Sequence, residues 1–128
     1  METKLTYVHG LIFTKTKTNE LLFLKHLGKV LQTEVDFSET RVDAIIRQAR
    51  SEGLDLESDN IAIEFISVDD MPNSRLTNFF YAIPVDYESL KELVKEEPEF
   101  QLLGEKRLGE YYKEIVEQIK NKIEKTKL

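Results

Sequence analysis

The stretch Glu34-Val35-Asp36-Phe37-Ser38-Glu39-Thr40, carried on through Ala44-Ile45-Ile46-Arg47 to Ser51-Glu52-Gly53-Leu54, decides how this chain reads. Val42, Ile45, Ile46 and Ala49 recur at intervals of three and four, so one side of a helix about three turns long is apolar. Ser38 precedes that run as the expected N-cap, and Phe37 stands opposite Val42 as a hydrophobic staple. Gly53 supplies the left-handed residue that stops the helix. The pattern predicts a helix over Phe37 to Arg50, with Ile45, Ile46 and Ala49 buried and Arg41 and Arg50 exposed.

Upstream, Leu5, Tyr7, His9, Leu11 and Phe13 alternate with Thr6, Val8, Gly10 and Ile12, the period of a strand. A polar tip, Thr14 to Asn19, leads into the apolar run Glu20 to His26, so the two segments form a hairpin. Val30 to Val35 is a further short strand. Downstream, Asn60 to Val68 is apolar on both faces and is expected at the centre of a covered sheet. Asp69-Asp70-Met71-Pro72-Asn73-Ser74 reads as a turn, Leu76 to Ile83 as a strand, and Asp86 as the cap of a helix carrying Leu90, Leu93 and Val94. Phe100 to Leu103 adds a strand. From about Gly109, Tyr112, Ile115, Val116, Ile119 and Ile123 fall at helical spacing, with glutamates early and lysines late as the helix dipole favours. The expected architecture is one α/β (α+β) domain over residues 1–128, a mixed sheet covered by helices.

Composition excludes several classes of function. The 128 residues carry 18 basic and 24 acidic side chains, a net charge of −6, which argues against a broad nucleic-acid-binding surface. Without cysteine there is no disulfide framework, thiolate metal site or thiol nucleophile. No apolar run approaches the ~18 residues of a membrane span, and Met1-Glu2-Thr3-Lys4 lacks the order of a signal peptide, so a cytoplasmic location with no membrane partner is expected. The glycine-rich phosphate loop, the dinucleotide fingerprint and the nucleophile elbow are all missing from the sequence.

The segment quoted first resembles the Nudix box of MutT-like hydrolases, G-x5-E-x7-R-E-U-x-E-E-x-G-U with U aliphatic. Glu39 and Arg47 are separated by seven residues, as in that pattern. The preceding hairpin ending Leu21 to Lys25, the later strand Asn78 to Ala82 and the last helix also occupy family-like places. The departures fall on the chemistry: Thr33 replaces the first glycine, Gln48 and Ser51 replace two glutamates, and Gly53 follows Glu52 one residue early. An alternative anchoring on Gly28 and Glu34 breaks the spacing to Arg47.

The resemblance implies an α/β/α sandwich and an activity on a nucleoside diphosphate linked to another moiety. In the family, helix carboxylates hold Mg²⁺ or Mn²⁺, which neutralises the diphosphate and activates water. Only Glu52 remains here as catalytic and metal-ligating candidate, so the Mg²⁺-dependent pyrophosphohydrolase site is weakened or lost unless Asp43, Glu57 or a carboxylate between Asp86 and Glu99 substitutes. Glu39 and Arg47 are the structural motif pair, and Lys25 the phosphate-binding candidate. Each has a plainer reading: Glu52 as a solvated helix end, Glu39 and Arg47 as unrelated surface charges, Lys25 as a snorkelling lysine. His9 and His26 lack metal-ligand spacing and read as structural. Phe80 points opposite to Phe79 and Tyr81, so only one face of that strand is available to stack on a base. The Tyr112 to Ile123 stripe is core, or else a homodimer contact. The alternative to a nucleotide-directed protein is a non-catalytic interaction or regulatory domain.

Overall fold

The computed structural model describes residues 5–56, 63–68 and 76–126. Its strands are β1 (Leu5–Lys15), β2 (Leu21–His26), β3 (Leu31–Glu34), β4 (Ile63–Val68), β5 (Leu76–Pro84) and β6 (Phe100–Gly104). Its helices are α1 (Arg41–Ser51), α2 (Tyr87–Glu96) and α3 (Lys113–Thr126), with short 3-10 turns at Glu105–Arg107 and Glu110–Tyr112. The six strands form one mixed sheet in the order β4-β5-β1-β2-β6, and β3 also pairs with β1.

The long strand β1 organises the sheet. One edge runs parallel to β5 from Leu5↔Leu76 to Phe13↔Pro84. The other edge is shared, with Phe13 to Lys15 antiparallel to β2 and Tyr7 to Gly10 antiparallel to β3. The exchange is made by a tight turn between β2 and β3. Leu27 (φ 51°) and Gly28 (φ 78°) are both left-handed, and His26 and Lys29 exchange backbone hydrogen bonds of 2.8 and 3.0 Å.

Alternation along β1 sends apolar side chains into two cores. Leu11 and Phe13 join Phe23, Phe80, Ala82 and the α3 residues Ile115, Val116 and Ile119. Val8 and Ile12 join Leu24, Ile83, the α1 residues Ala44, Ile45 and Ala49, and Leu90 of α2. The result is a sandwich with α3 on one face and α1 and α2 on the other. The Tyr112 to Ile123 stripe is therefore core packing inside the chain. Among the described residues no helix is long and apolar enough to cross a membrane.

Several expectations are corrected. β4 pairs with β5 at one end of the sheet order and is not central; lateral position is set by backbone pairing, which an apolar run does not encode. Thr40, and not Ser38, caps α1, its Oγ1 accepting from the Asp43 N–H at 3.0 Å. Ser38 takes a left-handed φ of 73°, and Phe37 is fully exposed, so no staple forms. Ile46 is only half-buried because it lies about 100° of helix rotation from Ile45, at the margin of the stripe. Arg41 is half-buried, its guanidinium 4.0 Å above the Phe79 ring. The Asp69 to Ser74 turn lies outside the described residues.

Gly10 sets how closely α1 approaches the sheet. A Cβ there would stand 3.0 Å from both Ile83 Cδ1 and Leu31 Cδ2 and 3.6 Å from Ile45 Cγ2. Gly10→Val is therefore expected to destabilise the fold by about 1–3 kcal/mol through overpacking, read as a lowered midpoint in urea; an unchanged midpoint would show that the three side chains yield freely.

Candidate functional site

The site is built at the two ends of α1. Before the helix, the Arg47 guanidinium grips Glu39 with two hydrogen bonds, Nε to Oε2 at 2.9 Å and an Nη to Oε1 at 3.1 Å. The same guanidinium donates to the Glu34 carbonyl at 3.0 Å, and Glu39 Oε1 also accepts from the Asp36 N–H at 3.0 Å. Arg47, followed by the Asp36 N–H, holds the Glu39 carboxyl below the usual carboxylate range. Loop 34–40 is thereby tied to the helix it precedes, and the structure brings together the two residues paired by their sequence spacing.

At the other end, Gly53 (φ 88°) closes α1. Its N–H donates to the Arg50 carbonyl at 3.1 Å and the Leu54 N–H to the Ala49 carbonyl at 2.8 Å, the double bond of a Schellman stop. Glu52 becomes the C-cap, one turn beyond Gln48 on the same side of the helix. Gln48 Nε2 donates to Glu52 Oε2 at 2.8 Å, and His26 Nδ1 lies 3.1 Å from Glu52 Oε1. His26 reaches this position from the end of β2, its ring tilted against Phe100 at 4.6 Å. Both carboxylate oxygens thus face protein groups, one the Gln48 amide and the other the His26 ring, with only 14% of the Glu52 side chain exposed. Ser51 turns its hydroxyl back to the Gln48 carbonyl at 2.6 Å.

Magnesium takes oxygen ligands in near-octahedral geometry, usually one or two carboxylates with water and substrate phosphate completing the shell. Glu52 is a single carboxylate that already accepts a hydrogen bond from Gln48 and has the His26 ring against its other oxygen, and no group of three or more His, Asp or Glu among the described residues is disposed to hold a metal. The donor set as arranged does not fit a resident divalent cation. Of the substitutes considered, Asp43 is exposed in the first turn of α1, the Asp86 carboxylate caps α2 by accepting from Ser89, and Glu57 lies outside the described residues.

Beside this helix end lies an open groove of about 1060 Å³, lined by His26, Lys29, Gln48 and Glu52 together with Tyr7, Gln32 and Glu34. Tyr7 and Gln32 also line a smaller cavity of about 270 Å³ with His9, Asn78, Tyr111 and Tyr112. His9 Nδ1 is 3.1 Å from the Tyr112 hydroxyl and Nε2 is 3.0 Å from Asn78 Oδ1, while the ring stacks on Phe80 at 4.6 Å. Asn78 Oδ1 can only accept, so Nε2 carries the proton and Nδ1 accepts from Tyr112. Burial pushes the Tyr112 phenol up to about 12 and His9 below its ordinary value, favouring this neutral pair.

Lys25 lies elsewhere. As the strand neighbour of His26 it points to the opposite face of the sheet, where its Nζ makes a long 3.5 Å hydrogen bond to the Arg107 carbonyl. The aromatic strand is used internally: Phe80 and Tyr81 are buried and Phe79 carries Arg41. Sequence reasoning missed His26 as a partner of Glu52, and missed Tyr7, Gln32, Asn78 and Tyr111. A Gln four residues before Glu52 signalled the Gln48 bond; nothing local to His26 signalled its own.

A six-stranded mixed sheet between α3 and α1/α2, with a loop-helix-loop tied by an Arg–Glu pair, defines an α/β/α sandwich. Neither a protein-family model nor a curated protein sequence matches the chain. Solved structures match its fold. A MutT/Nudix family protein from Listeria innocua is 14% identical, with a TM-score of 0.66 over 98% of this chain and 97% of that one. A MutT/Nudix family protein from Enterococcus faecalis is 18% identical, with a TM-score of 0.52 over 66% of this chain and 38% of its own length. The C. elegans Ap4A hydrolase is 12% identical, with a TM-score of 0.51 over 73% of this chain and 86% of that one. The fold of this chain is Nudix-like.

Two outcomes follow from this geometry. Arg47→Ala is expected to cost roughly 1 kcal/mol, because the pair is partly exposed, and to speed hydrogen exchange at the Asp36 amide. Arg47→Lys should be intermediate, since an ammonium cannot form the bidentate fork; unchanged exchange in Arg47→Ala would separate the pair from loop order. For His9, the folded value lies below the ordinary 6.5, so the unfolded chain binds the proton more readily. The His9 contribution to stability is therefore full above pH 6.5 and lost as pH falls through the folded value. Melting midpoints from pH 8 down to about pH 5 should fall more steeply in the parent than in His9→Gln; parallel curves would contradict the assignment.

Proposed function

We propose that this chain binds a nucleoside diphosphate linked to another moiety in the groove beside α1, and does not hydrolyse it through a Nudix-type metal centre. The observation that carries this reading is the engagement of both Glu52 oxygens by Gln48 and His26. The one helix-end carboxylate that a divalent cation would need is hydrogen-bonded to Gln48 and covered by the His26 ring. Lys29 and His26, which line the groove, offer positive charge or N–H donors to a diphosphate. Tyr7 and Gln32, with Asn78 and Tyr111 behind them, offer aromatic surface and amide hydrogen-bonding groups suited to a planar base. The fold likeness to proteins that include an Ap4A hydrolase supports the choice of a nucleotide-type ligand.

The test is calorimetric titration of the purified chain with nucleoside diphosphates, nucleotide sugars and dinucleoside polyphosphates, with and without Mn²⁺, beside an assay for released phosphate. Binding that persists without metal, and no release above that of Glu52→Gln, is the expected result. Metal-dependent release above that variant would make the chain a hydrolase, and concentration-dependent assembly with no nucleotide binding would favour an interaction domain. The double variant Gln48→Glu with Ser51→Glu places two further carboxylates near Glu52. It is expected to melt below the parent without metal, through like-charge repulsion, and to gain more in melting temperature from Mn²⁺. Equal gains in parent and variant would mean that these side chains do not converge on a cation.

A further inference from the structure

On the α3 face of the sheet, away from the groove beside α1, the β1–β2 hairpin, the end of β6, the Glu105–Arg107 turn and α3 enclose a second cleft of about 890 Å³. Lys15, Lys106, Arg107 and Lys120 line it against only two carboxylates, Glu20 and Glu105. In a chain whose net charge is −6, this is a local excess of positive charge.

The ion pairing in the cleft is incomplete. Lys120 is held by Glu105 at 2.6 Å and by Glu117 at 3.7 Å. Among the described residues no side chain pairs with the Lys106 ammonium or the Arg107 guanidinium, both of which are exposed. The turn carrying them is nevertheless anchored. Leu108 is buried in the α3 core, its N–H donates to the Glu105 carbonyl at 3.2 Å, and Lys25 reaches the Arg107 carbonyl from beneath. Two cations without counter-charges are thus held beside each other on a fixed turn, where an anion would relieve their repulsion. Leu21 and Ile123 add apolar wall.

We propose that this cleft is a binding site for a small phosphorylated molecule, independent of the groove beside α1. The Arg107 fork beside the Lys106 ammonium, in a cleft also lined by Lys15 and Lys120, offers the donors that phosphoryl or pyrophosphoryl oxygens accept from. The cleft has the size of a small-molecule site, and the apolar wall accommodates a non-polar part of the ligand. A small anion is favoured over RNA or an anionic membrane because an extended polyanion would also meet the negative charge of the rest of the chain. Lys25 has a place in this site: it positions the peptide of Arg107 rather than touching the phosphate.

The test is a ¹H–¹⁵N NMR titration of the full chain with inorganic pyrophosphate at low salt, repeated with Lys106→Gln/Arg107→Gln and with Lys91→Gln, an exposed lysine on α2. The expected result is saturable shifts at amides 104–108 and 120. Affinity should weaken at least about tenfold in the double variant, the scale of one or two lost charge-assisted hydrogen bonds, and stay unchanged in Lys91→Gln. Since Lys106 and Arg107 are exposed, the double variant is expected to keep the parent's spectrum elsewhere. Shifts confined to residues 26–34 and 48–52, equal affinity in parent and double variant, equal weakening in Lys91→Gln, or binding to RNA or anionic vesicles without binding to pyrophosphate would each overturn the proposal.

Discussion

A strand buried on both faces and paired along both edges has almost no freedom to shift, and β1 is such a strand. Val8 through Thr14 are all buried. Nine residues pair with β5, while β2 and β3 divide the other edge. A one-residue slip would exchange the sets facing α1 and α3 and bring Leu11 and Phe13 against a helix packed around Gly10. The positions of α1, α3 and both cavities follow from this register, because each helix docks on side chains that β1 presents.

The helix-end site is a case of substituted charge compensation. A carboxylate withdrawn from water needs donors, and its environment decides whether a cation or neutral groups provide them. Here Gln48 donates from one turn back along α1, and the His26 ring, from the end of β2, lies 3.1 Å from the other oxygen. Gln48 is uncharged and directs a donor at Glu52, whereas a carboxylate in that position would repel it without a metal between them.

The two faces of the sheet divide the polar chemistry between them. Lys25 and His26 are neighbours in β2, and the strand's alternation alone sends one toward Arg107 and the other toward Glu52. His9 is buried in the α3 face, where Asn78 and Tyr112 satisfy both ring nitrogens and join β1 to β5 and to the turn that opens α3. That turn also presents Tyr111 to the cavity shared with Tyr7 and Gln32, so core packing and the wall of that cavity are continuous.

Local order was legible in the sequence wherever it rests on neighbours along the chain. Period two marked β1, the stripe Val42-Ile45-Ala49 marked α1, Asp86 and Gly53 marked a cap and a stop, and the seven-residue spacing of Glu39 and Arg47 matched residues that do pair. Each follows from backbone geometry within a few turns, and the resemblance to a known box joined them into a sandwich. Where local signals competed, the tertiary structure decided: Ser38 and Thr40 are both able to cap a helix, and the fold uses Thr40, leaving Phe37 in solvent. The edge position of β4, the meeting of His26 with Glu52 and the gathering of cations around the Glu105–Arg107 turn join segments far apart in the chain. Strand pairing and the docking of helices on the sheet bring such segments together, and no spacing within one element encodes either.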